Sequence, residues 1–368
     1  MIYLDNGATS FYKPPQVERA MVRALHTCAS PGRGGYRQSM DAAKRVFSCR
    51  QLAGELFDCQ PEQVVFTTNC THGLNIAIGS LIKPGDRVVI SGFEHNAVTR
   101  PLYALGAKIT VVGRKLFCHD TLLSEFEQAL KTGTDAAVFT HVSNVFGYIL
   151  PVEEMAVLCK RYGVPFIIDA AQSAGTLPVK LAQLGADFIA MPGHKGLLGP
   201  QGTGILLCAD TARPILYGGT GSDSMSREMP SELPERLEAG TVNVPGIAGL
   251  GAGLAYLKHT GIEGIQRRKY KETEYCIQRL WDMGIKVYSG PHQCGTLSFV
   301  PDADCELVAE RLAKRGIAVR GGLHCAPLAH ESAGTLETGT VRVSFGHDAN
   351  RQQTEAFLRE MQRIMKKI

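Results

Sequence analysis

The chain has 368 residues and a formal net charge of +4, with 44% hydrophobic and 20% charged residues. This composition supports a packed core and excludes global disorder, and the unclustered basic residues argue against a nucleic-acid partner. No apolar run approaches the roughly 18 residues that a membrane span needs, and the N-terminus lacks a secretory pattern. We therefore expect a cytoplasmic protein that does not bind membranes.

Short apolar runs rich in β-branched residues alternate with helical patterns from about residue 60 to 210. The first predicted strand, Val64–Thr68, precedes a helix that includes residues 73–78. Further strand-like runs are residues 87–90, 109–112, 136–139, 166–168 and 188–190. Because such runs suit strands buried on both faces of a mostly parallel sheet, we predict a large doubly wound α/β domain over residues 16–255.

The pattern changes near residue 246. Pro245 and Gly246 precede one long predicted helix that continues to about Met283. Strands near 285–287 and 296–300 then alternate with helices at about 304–315 and 351–367. These elements predict a smaller α+β domain formed by residues 1–15 and 256–368. Within it, the N-terminal segment is expected to pack against the later elements.

Lys195 lies in a glycine-rich run, and the apolar strand upstream of it ends at Asp169. A lysine amine can form a Schiff base with the aldehyde of pyridoxal phosphate (PLP), and an acid can pair with the pyridinium nitrogen. A lone lysine is usually solvated, and a lone aspartate after a strand usually caps a helix. Together, in this order, they indicate a PLP site.

The eleven cysteines form no C-x-x-C pair and are scattered along the chain. Their odd number and spacing predict neither a disulfide framework nor a metal site. We expect most of them to be small buried residues in a reducing compartment. Cys325 differs, because its Gly-Gly-Leu-His-Cys-Ala-Pro context predicts an exposed loop, where a thiolate with an adjacent histidine can react.

Short segments in a characteristic order carry a family resemblance. They are Tyr3–Asn6, Thr71–Asn75, Glu94–Asn96, Val142–Asn144, Asp169–Gln172, Gly193–Lys195, Glu238–Thr241, Arg320–Cys325 and Val341–Arg342. Over nearly its whole length the chain resembles the class V aminotransferase-fold family, specifically cysteine desulfurases of the SufS-type branch. The resemblance implies the type I fold of PLP-dependent transferases, with a larger sheet domain and a smaller α+β domain that carries the catalytic cysteine loop.

The resemblance also implies the cofactor contacts. Lys195 would carry PLP and move protons, His95 would stack on the ring, Asp169 would pair with its nitrogen, and Gln172 would bond its phenolate oxygen. A helix N-terminus at Thr71 would hold the phosphate, although Thr71 could also be an ordinary N-cap. The remaining cofactor contacts would be Cys70, Asn144, His194 and, from a neighbouring subunit, Thr241.

For the substrate, the resemblance implies that Arg342 clamps the α-carboxylate, with Asn144, Ala8 and Thr9 beside it. Cys325 would attack the substrate sulfur and become a persulfide, leaving alanine. Only 16 residues lie between Cys325 and Arg342, as in the compact loop of the SufS-type branch.

Three positions depart from the family pattern. Pro192 replaces a hydroxyl residue that commonly bonds the phosphate, and His72 replaces a common glutamate. Tyr36, within residues 33–37, replaces a histidine of the substrate loop. These departures leave the PLP site intact but leave substrate preference open.

The sequence therefore predicts a homodimeric PLP enzyme that converts L-cysteine to L-alanine and passes sulfur to an acceptor protein, in a pathway such as iron–sulfur cluster assembly. Selenocysteine lyase, acting on L-selenocysteine, remains an alternative on the same residues. A PLP-dependent C–S lyase or aminotransferase that does not use Cys325 is another. A non-catalytic partner that keeps only the fold is disfavoured by Lys195, Asp169, His95 and Arg342 occurring together.

Overall fold

The computed structural model describes residues 1–32, 34–209, 212–222 and 224–366. Its strands, in chain order β1 to β13, are Ile2–Tyr3, Val64–Thr67, Arg87–Ser91, Lys108–Val112, Ala136–Thr140, Phe166–Asp169, Phe188–Pro192, Gly204–Cys208, Lys286–Tyr288, Thr296–Val300, Ile317–Ala318, Arg320–Gly322 and Thr340–Ser344. Its helices, α1 to α12, are Pro15–Thr27, Arg37–Phe57, Cys70–Leu81, Asn96–Leu105, His119–Lys131, Val152–Tyr162, Leu181–Leu184, Val244–Thr260, Ile262–Asp282, Cys305–Ala313, Pro327–Ala333 and Arg351–Met365.

Seven strands form the larger sheet in the order β2-β8-β7-β6-β5-β3-β4. The neighbours from β7 to β4 pair in parallel, whereas β8 is antiparallel to both of its neighbours. One apolar cluster covers each face of this sheet, which is why strands such as β5 and β7 are buried along their whole length. The carboxyl ends of β3, β5, β6 and β7 therefore lie at one edge, where ligands of open α/β sheets bind.

A smaller antiparallel sheet has the order β12-β13-β10-β9. The N-terminal strand β1 pairs in parallel with β11, and Asp5 forms a bridge with Ser344, the last residue of β13. The N-terminal segment thus packs on the smaller sheet, as the sequence predicted. The proposed boundaries of the two domains stay a prediction.

The structure differs from the sequence prediction at several elements, including the long helix and strand β8. The single helix expected up to Met283 is two helices, α8 and α9, because Gly261 between them has a φ of +80° that interrupts the helix. Strand β8 was not predicted, since its run follows a glycine-rich turn. The last helix is described to Met365, and the predicted final residue of that helix, 367, lies outside the described residues.

Across the described ranges, no helix is both long enough and apolar enough to cross a membrane.

Candidate active site

A cavity of about 250 Å³ lies at the carboxyl edge of the larger sheet. Most of the predicted site residues line it together, although they come from many parts of the chain. These are Ala8, Cys70, Thr71, His95, Asn144, Asp169, Gln172, His194, Lys195, Cys325 and Arg342. The strand ends bring the cofactor residues together, and the smaller sheet adds Arg342 from β13.

Lys195 and Asp169 form the charged centre of this cavity. Burial lowers the pKa of Lys195, whereas the neighbouring Asp169 and Cys70 raise it. Asp169 is only 3% exposed, and its Oδ1 accepts hydrogen bonds from the Ala171 amide at 2.9 Å and the Cys70 thiol at 3.4 Å. These two donors fix the orientation of the carboxylate at the end of β6.

His95 caps the N-terminus of α4. Its Nδ1 accepts the Ala97 amide at 3.0 Å, which places the ring proton of the neutral imidazole on Nε2. Burial lowers the pKa of His95 to about 4, so the ring is neutral at physiological pH. A neutral, oriented ring suits stacking on a flat cofactor.

Helix α3 presents its N-terminus to the same cavity. Asn69 is its N-cap and accepts the His72 amide, so Thr71 is not the cap, which was one reading of the sequence. Within the described ranges, neither Cys70 nor Thr71 has an assigned partner for its amide N–H. Free amides at a helix N-terminus are suited to a phosphate.

His194 adds a side-chain nitrogen to these two amides. Its Nδ1 is buried and has no partner among the described residues, and burial lowers its pKa to about 4. Its carbonyl accepts the Thr9 hydroxyl at 3.1 Å. Thr9, predicted near the substrate, does not line the cavity and instead positions the backbone beside Lys195.

Arg342 is 2% exposed and already engaged. Its Nη2 pairs with Asp5 Oδ1 at 2.6 Å, its Nη1 donates to the Asn144 carbonyl at 3.1 Å, and its Nε is buried without a partner. Burial lowers the pKa of the guanidinium, and Asp5 raises it. The side chain is fixed in place, with N–H groups left for a further acceptor.

Cys325 is the only exposed cysteine of the eleven, all of which lie within the described residues and are free. Its loop is held from both sides, because the Asn96 amide donates to the Cys325 carbonyl at 2.8 Å and Asn144 Nδ2 donates to the His324 carbonyl at 2.7 Å. His324 and Cys325 both have positive φ, at 52° and 58°, a conformation that costs non-glycine residues energy. The thiol is thus presented at the cavity by a constrained backbone.

The neighbouring histidine does not act as the sequence suggested. His324 is buried, its Nε2 contacts the Thr340 hydroxyl at 3.1 Å, and burial lowers its pKa to about 2. A neutral ring bonded to the smaller sheet supplies no positive charge to the thiol of Cys325. Its contribution is to anchor the loop.

Thr241 lies elsewhere. It lines a second, more open cavity of about 670 Å³ together with Pro31, Gly32 and Gly240. Tyr36, from the predicted substrate loop, is exposed and occupies the N-cap position of α2 without a side-chain capping bond; Arg33 of the same loop lies outside the described residues. Within one chain, therefore, neither Thr241 nor Tyr36 lines the first cavity.

Gln172 lines the cavity but donates to the Gly7 carbonyl at 3.0 Å.

Sequence reasoning missed two further residues. Arg320 lines the cavity directly across from Arg342 in the β12–β13 register, and its glycine-rich context concealed a short strand. Glu94 is fully buried and accepts the amides of Ser91 and Thr140, which joins β3 to β5 just before His95. Glu94 belongs to the Glu94–Asn96 segment, which is part of the family resemblance, so the sequence did contain a signal for this residue.

This architecture is the type I fold of PLP-dependent transferases. Residues 2–357 match the Aminotransferase class-V family, and the chain belongs to that family, whose members depend on PLP.

Relatives with similar sequences extend over almost the entire chain. A probable cysteine desulfurase of Pyrococcus abyssi (strain GE5 / Orsay) is 33% identical, with 100% of this chain and 95% of that protein covered. A probable cysteine desulfurase of Methanothermobacter thermautotrophicus is 34% identical, with 93% and 89% covered. The solved apo structure of a cysteine desulfurase from Thermococcus onnurineus NA1 matches with a TM-score of 0.93 and 34% identity, covering 100% and 95%. The predicted family and fold class are confirmed.

Proposed function

We propose that this protein is a PLP-dependent cysteine desulfurase in which Cys325 receives the sulfur. The observation that carries the proposal is the position of one exposed thiol at a cavity that also holds Lys195, Asp169 and Arg342. A lyase or aminotransferase mechanism would leave this constrained thiol without a task.

The residues present fit PLP. The cavity offers an amine at Lys195, an oriented carboxylate at Asp169, two amides at the start of α3 and the unpartnered Nδ1 of His194. We assign the phosphate to the α3 amides and His194, and the pyridine nitrogen to Asp169. The bound cofactor would supply the carbonyl that captures the substrate amine and an electron sink for its carbon atoms.

Each side chain then has a defined task. Arg342, fixed by Asp5 and Asn144, binds the substrate α-carboxylate with its remaining N–H groups. Lys195, whose pKa burial lowers, accepts and returns protons at the substrate carbons. The neutral ring of His95 holds the reacting plane and can donate through Nε2.

Cys325 performs the sulfur transfer. Its thiolate sulfur forms a bond to the substrate sulfur while the substrate C–S bond breaks, and that electron pair goes to the substrate carbon. Protonation of the carbon completes alanine, so cysteine and a protein thiol become alanine and a protein persulfide. No external oxidant is required.

Replacing Cys325 tests this proposal. We expect Cys325→Ala to abolish alanine formation from L-cysteine while leaving the visible absorbance of the bound cofactor unchanged. Cys28→Ala, which removes a half-buried thiol at the end of α1, is the matched control and should retain activity. Alanine production at the wild-type rate by Cys325→Ala would rule out sulfur transfer to Cys325, and a parallel assay with L-selenocysteine compares the two substrates.

We further propose a homodimer in which Thr241 contacts the phosphate bound by the partner subunit. Support comes from the location of Thr241 in a separate open cavity, whose wall includes Phe47 with half of its surface exposed. A sulfur-acceptor protein would receive the persulfide, because the thiol is exposed. The cytoplasmic location and the pathway of sulfur use remain predictions from the sequence.

A further inference from the structure

A third, small cavity adjoins the cofactor cavity. It has a volume of about 30 Å³ and shares Gly7, Ala171, Gln172 and Lys195 with the cofactor cavity. Such a volume is large enough for one water molecule or another small ligand. The rest of its wall includes residues of α9 and of the segments that follow β6 and β13, among them Thr176, Lys269 and His347, which the proposed mechanism does not use.

Lys269 reaches this cavity from α9. Its side chain passes over Gly295, where a Cβ atom would lie only 2.6 Å from the Lys269 Cε. Gly295 therefore leaves room for the lysine to enter the interior. The ammonium group donates to the Thr176 hydroxyl oxygen at 3.0 Å.

The charge of Lys269 is not balanced by an acid. In the described part of the chain, Thr176 is its assigned polar partner and no carboxylate oxygen pairs with it. Burial lowers the pKa of the Lys269 amine, and nearby Cys294 raises it. An ammonium that is largely withdrawn from water and has unpartnered N–H groups is stabilised when an anion or an acceptor satisfies it.

The surroundings of the cavity are basic. His347 lines it with a buried Nδ1 that has no partner among the described residues. Burial lowers the pKa of His347, while Asp348 raises it and Arg268, Lys269 and Lys13 lower it. The one acid in this group, Asp348, already accepts the Gln353 side chain at 3.3 Å.

We propose that this cavity is a binding site for a small monovalent anion such as chloride, with the Lys269 ammonium as its principal ligand. The Thr176 hydroxyl, which accepts from Lys269, keeps its own proton to donate, and His347 can donate through Nδ1. The cavity is much smaller than the cofactor cavity, which favours a small ion. The bound ion neutralises a charge beside the cofactor lysine and joins α9 to the segment after β6.

Bromide is the probe for this site. Crystals of the PLP-loaded wild-type enzyme soaked in sodium bromide should show an anomalous peak within about 3.5 Å of the Lys269 Nζ, a typical ion–ammonium contact distance. Density there without an anomalous signal would identify water and overturn the proposal. This arm needs no variant, so it does not depend on folding of a mutant.

A solution experiment supplies the control. Sodium gluconate is exchanged for sodium bromide at constant ionic strength, and the thermal unfolding midpoint is recorded. We expect a saturable rise in wild type and in Lys271→Met, which removes an exposed lysine from the same helix, but none in Lys269→Met. An equal rise in all three proteins, or in none, would contradict an anion site at Lys269. Neither result bears on the desulfurase reaction, which is assayed separately.

Discussion

Glu94 gives the folded protein a specific dependence on pH. The carboxyl group is fully buried between β3 and β5, and burial raises its pKa to about 8 from an ordinary 4.5, against the opposing effect of the Ser91 hydrogen bond. Between those two pH values the native state holds a proton that the unfolded state has lost, so the contribution of Glu94 to stability is fully present below pH 4.5 and is lost as the pH rises to 8.

The magnitude follows from the same two values. The interval is roughly 3.5 pH units, and at about 1.36 kcal/mol per unit the contribution lost is about 5 kcal/mol. Glu94→Gln replaces the titrating group by a neutral amide of the same shape. The variant should therefore gain stability relative to wild type as the pH rises from 5 to 8.

Urea unfolding followed by tryptophan fluorescence and circular dichroism at several pH values measures this difference. Glu154→Gln, at an exposed position on α6, is the matched control and should follow the wild-type curve. If the pH profiles of wild type and Glu94→Gln run parallel between pH 5 and 8, the buried carboxyl does not hold a proton and the reasoning is refuted.

Three further predictions concern the site. His194→Ala should weaken PLP binding by about 10- to 100-fold, the value of one hydrogen bond to a charged group, in a fluorescence titration of the apoenzyme; unchanged affinity would remove His194 from the phosphate. Arg342→Lys should lower kcat/KM for L-cysteine by a similar factor because lysine cannot bond a carboxylate bidentately, and an equal kcat/KM would refute the clamp. Mixing Lys195→Ala with Thr241→Ala subunits should restore activity after subunit exchange, whereas no recovery would indicate that each site is built from one chain.

Much of the larger sheet could be predicted from the sequence because buried parallel strands are short, apolar and β-branched. The runs at β3, β5 and β6 have this character. The end of β6 places Asp169 in the cofactor cavity. Strand β12, by contrast, is Arg-Gly-Gly, a sequence of low strand propensity that pairs with β13. Tertiary pairing of this kind is not encoded locally, and Arg320 was missed with it.

In the candidate site, too, some features could be predicted from local sequence and others depend on tertiary contacts. Motif residues such as Lys195 and His95 lie in the cavity as their segments suggested. The orientation of site residues depends on contacts across the fold. Arg342, for example, is held by Asp5, which lies 337 positions away in the sequence. The role of His324 depended on burial against Thr340, which no local pattern reveals.

The most direct test of the proposed sulfur transfer is a single turnover of the PLP-loaded enzyme with L-cysteine in the absence of reductant. Alanine is quantified, and the protein is digested for mass spectrometry under conditions that preserve persulfides. The account predicts one alanine per active site and the mass of one additional sulfur atom on the peptide that contains Cys325. Alanine formed without added sulfur on Cys325, or sulfur carried on another cysteine, would contradict it.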